Sequence, residues 1–381
     1  MKEYRVGFIG FGFIGKVHAF GYVNLPFFYQ PVPLAARMTH VCTSRPATAE
    51  EGRALVGAAH AVTDFRRITE SPDVDIVHIC TPNHRHKEAL LSAMRHQKHI
   101  YCDKPLTATL AEALEVARAL DGYRATAQMT LQCRFFPAVL RARQLIEQGF
   151  LGQVLEFRAC YLHAGSADPQ APLKWKLAAE SGGGVIADLA SHVLDLVHHL
   201  LGEFAQVSAA TRIAYAERPS AADPQRRVPV DAEDCVMLLA RMQNGALGQI
   251  EATKLATGTE DEFRFEIHGS KGALRFNSMD PHHLESYDAT VPDKPVGGGR
   301  GWTRVDTGQR FPAPAAAFPG PKFALGWLRV HAACLAKFLA DVAAGRPGDP
   351  GLRHGIRIQR LLDAVKRSAD SGAWVEAGPA S

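Results

Sequence analysis

Short apolar runs alternate with amphipathic stretches over residues 1–130. The predicted strands, most of which are rich in apolar residues, cover residues 4–9, 34–42, 75–80, 99–102 and 124–129. The amphipathic stretches have helical spacing, and they cover residues 15–24, 47–57, 84–97 and 107–120. Residues 25–33, which are rich in proline, are predicted to form an inserted loop. The alternation predicts an α/β domain whose mostly parallel sheet is covered on both faces.

A different pattern follows over residues 131–381. Predicted strands cover residues 153–162, 207–215, 235–242, 247–255 and 263–268. Several of them alternate polar and apolar residues, as a sheet with one exposed face would. Asn244, Gly245 and Gly248 mark a hairpin, and residues 352–371 are predicted to form a closing helix. We therefore expect two domains, 1–130 and 131–381, which the length of 381 residues allows.

The composition narrows the class of protein. Apolar residues make up 46% and charged residues 22%, which is ordinary for a soluble globular protein. The net charge is only +4 and the chain has no dense Lys/Arg run, so a nucleic acid is a poor candidate for a binding partner. No uninterrupted apolar run reaches the ~18 residues that span a bilayer, and the first strand begins too early for a signal peptide. The seven cysteines form an odd set without a C-x-x-C pair. The cysteine usage predicts a reducing, cytoplasmic setting, and the lack of a spanning apolar run predicts that the protein has no membrane partner.

A glycine-rich loop lies at the predicted turn from the first strand to the first helix. Its sequence, Gly10-Phe11-Gly12-Phe13-Ile14-Gly15, is the G-x-G-x-x-G fingerprint of dinucleotide binding. We predict that Gly10 makes the turn, that Gly12 lets the backbone approach the pyrophosphate, and that Gly15 lets the helix pack closely. The helix N-terminus favours the negative phosphates. Gly10, Gly12, Phe13, Ile14 and Gly15 are therefore candidate contacts of NAD or NADP.

The end of the second strand bears on the choice between these two cofactors. An acidic residue there would hold the ribose 2′-hydroxyl of NAD. The sequence has Thr43, Ser44 and Arg45 instead, whose hydroxyls and guanidinium suit a 2′-phosphate. This pattern favours NADP over NAD, with Arg45 as a solvated surface charge being the alternative.

A second glycine run, residues 182–184, opens a predicted helix with Asp188, His192 and Asp195 on one face. Apolar residues surround that face, so we expect it to be sheltered from water. A sheltered histidine beside a carboxylate is suited to moving a proton at neutral pH, with His192 as the acid/base and Asp188 as its orienting partner. Asp188 and His192 have no third ligand at a recognisable spacing, so we expect no catalytic metal.

Several motifs in the same order resemble the glucose–fructose oxidoreductase / inositol dehydrogenase (Gfo/Idh/MocA) family. They are the glycine loop, Thr81-Pro82-Asn83-His84, Cys102-Asp103-Lys104-Pro105, Gln132-Cys133-Arg134-Phe135-Phe136-Pro137, Trp175-Lys176 and the helix with Asp188 and His192. The family's usual form of the third motif is Glu-Lys-Pro, so Asp103 departs from it while the lysine and proline are kept. The likeness is thinnest over 210–230 and 280–322.

The resemblance implies a fold and an assembly. The fold is an N-terminal Rossmann dinucleotide-binding domain followed by an α/β domain with a large open, mostly antiparallel sheet. The C-terminal helices would pack back on the first domain. The exposed face of the sheet would form the subunit contact of a homodimer or homotetramer.

The resemblance also implies roles for residues. Lys104 would stabilise alkoxide character on the reacting hydroxyl, and His192 would exchange its proton. Further nucleotide contacts would come from the ends of the strands, at Thr81, Pro82, Asn83, His84, Asp103, Lys104 and Gln132. Substrate contacts would come from Lys104, Tyr161, His163, Lys176, Asp188, His192 and Asp195, of which Asp195 either touches substrate or supports the polar network.

The function that follows is hydride transfer between NAD(P) and a secondary alcohol or ketone of a sugar, inositol or related polyol. Two other functions share the nucleotide loop. One is a glycosidase that retains its nucleotide and uses transient oxidation, and the other is a non-catalytic sugar or nucleotide sensor. Retention of Lys104, Asp188 and His192 argues against the sensor.

Overall fold

The computed structural model describes residues 3–316 and 318–378. Contacts divide the described chain into two compact units. The first comprises residues up to Gln132 together with segments 311–319 and 326–359, and the second comprises 133–310, 320–325 and the residues from Arg360 onwards. The division therefore falls inside one helix near the C-terminus, between Gln359 and Arg360.

A six-stranded parallel sheet forms the centre of the first unit. Its strands are β1 Glu3–Ile9, β2 Ala35–Cys42, β3 His60–Val62, β4 Ile76–Ile79, β5 His99–Cys102 and β6 Ala127–Met129. They lie in the order β3-β2-β1-β4-β5-β6. The order reverses between β1 and β4, and ligands of such sheets bind beyond the carboxyl ends of the strands at that reversal.

Helices connect these strands. They are α1 Phe13–Phe28, α2 Pro46–Val56, α3 Arg66–Thr69, α4 His86–Arg95 and α5 Leu110–Ala119. The start of α5 is fixed by a capping box, in which Thr109 Oγ1 accepts from the Glu112 backbone N–H while the Glu112 carboxylate accepts from the Thr109 N–H. The predicted Rossmann architecture is confirmed, and β1, β5, α2, α4 and α5 begin and end within a few residues of the predicted bounds, whereas the short helix α3 was not predicted.

Two local predictions in this unit are wrong. The strand β3 was not predicted, because a run of three residues carries too little periodicity to be recognised. The loop predicted over 25–33 is helical up to Phe28, with Pro26 inside α1. Tertiary packing overrides the proline signal, since Leu25 is buried and the next helix of this unit, α8 Trp327–Ala343, lies against α1. Gly21 allows that approach, because a Cβ there would lie 2.8 Å from Leu335 Cδ2.

A nine-stranded mixed sheet forms the second unit. Its order is β16-β15-β14-β13-β7-β12-β11-β8-β17, and every pair is antiparallel except β7 with β12. The strands are β7 Val154–Leu162, β8 Phe204–Arg212, β11 Cys235–Met242, β12 Leu247–Thr253, β13 Glu262–Gly269, β14 Gly272–Asn277, β15 His283–Asp288, β16 Trp302–Asp306 and β17 Val375–Glu376. The predicted large, mostly antiparallel sheet is confirmed.

The remaining elements surround this sheet. They are α6 Pro137–Glu147, a π-helical turn Ile186–Ala190 that leads into α7 Ser191–Leu201, the closing helix α9 Leu352–Ser371, and a separate hairpin of β9 Glu217–Pro219 with β10 Arg227–Pro229. The bounds of α9 match the predicted helix. The strands β14 to β16 were not predicted, since they lie close to or within the part of the sequence with the weakest resemblance and alternate polar and apolar residues irregularly.

One segment has the length and composition of a membrane span, Ala179–Leu201. Its most apolar window is 89% buried inside the protein, as expected for a core helix of a soluble protein. All seven cysteines are free, and six of them are buried.

Candidate active site

The glycine loop has the geometry that its sequence predicts. Gly10 has a φ of +87°, and a Cβ there would lie 2.6 Å from the carbonyl of Cys80. A Cβ at Gly15 would lie 2.6 Å from Gly10 O, so α1 packs directly on the turn. A Cβ at Gly12 would meet nothing within 4 Å. Helix α1 begins at the next residue, Phe13. The side chain of Phe13 is exposed, and that of Ile14 is half-buried. The loop therefore leaves open space at a helix N-terminus, which fits the pyrophosphate of a dinucleotide.

The loops that follow β4 and β5 are tied together by a residue that sequence reasoning missed. His86 is fully buried, and its ring nitrogens lie 2.9 Å from Thr81 O and 3.0 Å from Pro105 O. It therefore fixes the loop with Thr81, Pro82, Asn83 and His84 against the loop with Asp103 and Lys104. The spacing of His86 after the Thr81–His84 motif was the available signal, but a histidine opening a helix is unremarkable in a single sequence.

The exposure of these loop residues differs. Asn83 and Gln132 are buried, whereas Thr81, Pro82, His84, Asp103 and Lys104 are half-buried. Thr81 Oγ1 is itself buried, so Pro82, His84, Asp103 and Lys104 are the side chains that remain accessible to a ligand of the first unit.

The end of β2 carries hydroxyls and an arginine, as predicted. Thr43 Oγ1 lies 2.6 Å from Thr48 Oγ1 and 2.9 Å from Arg45 O, which closes a tight turn before α2. Arg45 and Ser44 are exposed, and Arg45 is the residue that precedes α2. The turn thus presents a guanidinium, a hydroxyl and the N-terminus of a helix together.

The second glycine run allows two segments of the second unit to approach closely. The Gly184 N–H donates to Lys176 O at 2.9 Å, and a Cβ at Gly183 would lie 2.8 Å from the same carbonyl. Gly184 has a φ of +106°, and a Cβ there would collide with the carboxylate of Glu233. That carboxylate accepts from the Ile186 N–H at 3.0 Å, at the start of the π-helical turn. The glycines therefore bring Lys176 next to the turn that carries Asp188.

Asp188 is held by two lysines. Lys176 Nζ lies 2.9 Å and 3.1 Å from its two carboxylate oxygens, and Lys254 Nζ lies 3.0 Å from Oδ2. The side chain of Asp188 is 11% exposed and that of Lys254 is 5% exposed, whereas that of Lys176 is 46% exposed. Sequence reasoning paired Asp188 with His192 and missed Lys254. π-helical turns of this kind occur frequently at functional sites.

His192 lies one turn later, in α7, and is buried. Its Nδ1 lies 3.9 Å from Cys133 Sγ, and its ring packs edge-on against Tyr161 at a centroid distance of 5.7 Å. Burial, followed by the nearby Cys133 and Asp261, raises the pKa of Tyr161 well above its usual value, so this phenol stays protonated. His163 lies two residues beyond, and burial together with Lys254 lowers its pKa. The second unit therefore brings Tyr161, Lys176, Asp188 and His192 into one region, with His163 beside it.

Asp195 has a different environment. Its carboxylate accepts from Arg134 Nε at 2.8 Å, and the pair is almost completely buried, with side-chain exposures of 1% and 8%. The ion pair with Arg134 places the Asp195 carboxylate in the core of the second unit. Of its two predicted roles, this burial favours support of the polar network, and contact with substrate stays a prediction.

Three metal-ligating side chains gather in the first unit. His18, His78 and Cys80 are buried, and their ligand atoms lie within 4.8 Å of one another. His18 Nδ1 is 3.1 Å from His78 Nδ1 and 3.2 Å from Cys80 Sγ, which are hydrogen-bond distances. Burial lowers the pKa of His18 to about 3, so its ring is neutral and can exchange hydrogen bonds with His78 and Cys80.

Two stretches of the chain match models of known protein families. Residues 4–131 match the family model described as "Oxidoreductase family, NAD-binding Rossmann fold", and residues 139–275 match the "GFO/IDH/MocA C-terminal domain". The levoglucosan dehydrogenase of Pseudarthrobacter phenanthrenivorans is 33% identical, over 99% of this chain and 98% of its own. The inositol 2-dehydrogenase of Rhizobium meliloti is 27% identical, over 96% of both chains.

The solved structures include a close match to the whole chain. A levoglucosan dehydrogenase in complex with NADH and L-sorbose superposes with a TM-score of 0.94 at 33% identity, covering 99% of this chain and 100% of that one. Both family models, the full-length relative and the shared fold lead to one conclusion. The chain belongs to the Gfo/Idh/MocA family of oxidoreductases, with an NAD-binding Rossmann domain at its N-terminus.

Proposed function

We propose that this enzyme transfers a hydride between NAD(P) and a secondary hydroxyl, or the matching ketone, of a cyclic sugar or polyol. The observation that carries the proposal is the polar cluster of the second unit, in which the partly exposed Lys176 and the buried Lys254 hold Asp188 while the buried His192 and Tyr161 lie beside it. Convergent donors and acceptors suit a ring with several hydroxyls. Relatives named for levoglucosan, inositol and D-xylose support the same class of substrate.

Each residue has a role in the proposed reaction. A bound nicotinamide supplies the acceptor or donor of the hydride. His192 takes the alcohol proton during oxidation and returns it during reduction, and Asp188 is held in place by Lys176 and Lys254. Lys104 donates a hydrogen bond that stabilises negative charge on the reacting oxygen, as the resemblance implies.

An assay of turnover tests the proposal. The purified protein is mixed with NAD+ or NADP+ and with levoglucosan, myo-inositol or D-xylose, and nicotinamide reduction is followed by absorbance. Stoichiometric reduction of free cofactor is the expected result. Glycoside cleavage without release of nucleotide would indicate the glycosidase instead, and nucleotide binding without any turnover would indicate a sensor.

We infer a preference for NADP over NAD. The exposed turn Thr43–Arg45 lacks a carboxylate and offers a guanidinium beside the start of α2, which suits a 2′-phosphate. Arg45→Asp is expected to weaken NADPH binding by about 10- to 100-fold, the range for a charge-assisted hydrogen bond, while NADH binding is retained or improved.

Titration of nicotinamide fluorescence with each nucleotide measures this preference. Arg95→Asp, at an exposed arginine near the end of α4, is the matched control and should leave both affinities unchanged. A variant Arg45→Asp with the same NADPH/NADH ratio as the parent contradicts the phosphate assignment.

We also propose a homodimer or homotetramer that forms through the open face of the nine-stranded sheet. Met237, Leu239 and Leu247 are 56%, 44% and 51% exposed on that face, and adjacent exposed apolar side chains commonly mark a protein contact. Leu239→Glu is expected to shift the protein to smaller species in analytical ultracentrifugation. A parent that sediments as a monomer at micromolar concentration rules this assembly out.

We infer that the protein is located in the cytoplasm. Seven free cysteines, six of them buried, are suited to a reducing compartment. Fractionation of cells that express the protein tests this inference, and recovery in a membrane or extracellular fraction contradicts it.

A further inference from the structure

Lys254 occupies a position that would ordinarily hold an apolar side chain. It follows β12, whose alternate residues Gly248, Ile250 and Ala252 are buried, and Lys254 continues that series two residues later. The Lys254 N–H donates to Asp234 O at 2.9 Å and its carbonyl accepts from the Ser166 N–H at 2.8 Å, so the backbone is fixed on both sides. A lysine whose side chain is only 5% exposed therefore lies on the inner face of the sheet.

The ammonium of Lys254 has an ion-pair partner but unused donors. It lies 3.0 Å from Asp188 Oδ2, yet it makes no well-aligned hydrogen bond with any described residue. Asp188 does not need it, because Lys176 already donates hydrogen bonds to both carboxylate oxygens. Burying an ammonium without hydrogen bonds is costly, so packing and charge balance within the protein do not account for this lysine.

The unused donors lie among the side chains of the proposed substrate region. The His163 N–H donates to Thr253 O, which brings His163 next to Lys254 across the paired strands β7 and β12. Lys254 is among the groups that lower the pKa of His163, after burial itself. The charged groups around this point are Lys176, Lys254, Asp188 and Asp261, and the last of these bonds to Tyr161.

We propose that Lys254 is a substrate-binding residue, whose ammonium donates a hydrogen bond to a hydroxyl of the cyclic polyol while it rests against Asp188. The inference rests on the function proposed above and adds a contact that the motifs of the sequence do not contain. A hydroxyl oxygen of the substrate beside Lys254 would accept the hydrogen bond that the ammonium does not make within the described chain.

The variant Lys254→Met tests the proposal, because methionine keeps the apolar stem and removes the ammonium. We expect kcat/KM for the polyol to fall about 10- to 100-fold, mainly through KM, as for the loss of a hydrogen bond from a charged donor. The affinity for NADPH or NADH should not change. Lys271→Met, at an exposed lysine between β13 and β14, is the control and should match the parent in every measurement.

Thermal unfolding separates substrate binding from a structural role. Since Lys176 still neutralises Asp188, the melting temperature of Lys254→Met should equal or exceed that of the parent. A parent-like KM in the variant overturns the proposal. So does a melting temperature several degrees lower with activity reduced only in proportion to the folded fraction. A parent protein inactive on every polyol tested instead overturns the proposed function, which keeps the two failures distinct.

Discussion

His192→Ala is expected to lower turnover by about 10²- to 10⁴-fold, the usual contribution of general acid–base catalysis. The alcohol proton must leave as the hydride does, and His192 is the buried imidazole beside the proposed substrate region. Its ring is held between Cys133 Sγ, 3.9 Å from Nδ1, and the edge of Tyr161. The burial of Tyr161 raises the pKa of that phenol, so it is a poor base and a weak substitute for the missing imidazole.

The measurement is single-turnover hydride transfer, followed by absorbance, together with nucleotide affinity by fluorescence titration. Nucleotide binding should be unchanged, since the glycine loop belongs to the other unit. His199→Ala is the matched control on the same helix, because Arg143 bonds to the backbone carbonyl of His199, which alanine retains. A His192→Ala enzyme that keeps the parental rate removes His192 from the mechanism.

Lys104→Met is expected to lower kcat by about 10²- to 10³-fold, the cost of removing one donor that stabilises a developing oxyanion. The lysine follows β5, at the carboxyl edge of the parallel sheet where ligands of this architecture bind. Its loop is fixed by His86, which bonds to the neighbouring Pro105 carbonyl. Methionine preserves most of the volume, so the loss reports the ammonium rather than the packing of the loop.

Steady-state kinetics over a range of pH measure the effect of Lys104→Met, with the affinity for nucleotide recorded in parallel. Lys87→Met provides the control, because Lys87 lies in α4 of the same unit and pairs with the surface carboxylates of Glu88 and Glu115. If kcat stays within twofold of the parent, Lys104 does not stabilise the reacting oxygen. If nucleotide affinity falls as much as kcat, the lysine serves binding instead of chemistry.

Much of the architecture was predictable because it depends on local signals. Buried parallel strands favour short segments rich in apolar residues, and residues 6–9 and 100–102 are such segments. The turn at Gly10 requires a positive φ, which the structure has at +87°, and only glycine adopts it without strain. The helix over 352–371 was recognisable from a long amphipathic repeat, whereas β3 has three residues and was not. The strength of a local signal therefore grows with the length of the element.

The site was only partly predictable. Asp188 and His192 were found because they share a helical segment with a glycine run before it. Their partners come from distant parts of the chain: Lys254, which pairs with Asp188, follows β12, and Cys133, which lies 3.9 Å from His192 Nδ1, precedes α6. Asp195 has the same spacing signal as the other two, yet it pairs with Arg134 in the core.

The sequence by itself determined the Rossmann domain, the dinucleotide loop and the segment that carries Asp188 and His192, each from periodicity or from a backbone conformation that one residue type must adopt. The large second sheet followed from the resemblance to the Gfo/Idh/MocA family together with the alternation of polar and apolar residues in several strands. Only the tertiary structure decided that two lysines hold Asp188, that Asp195 pairs with Arg134, and that His86 ties two loops together. The physical reason is that hydrogen bonds and ion pairs depend on distances in space, and residues far apart in sequence carry no local record of which partner they meet.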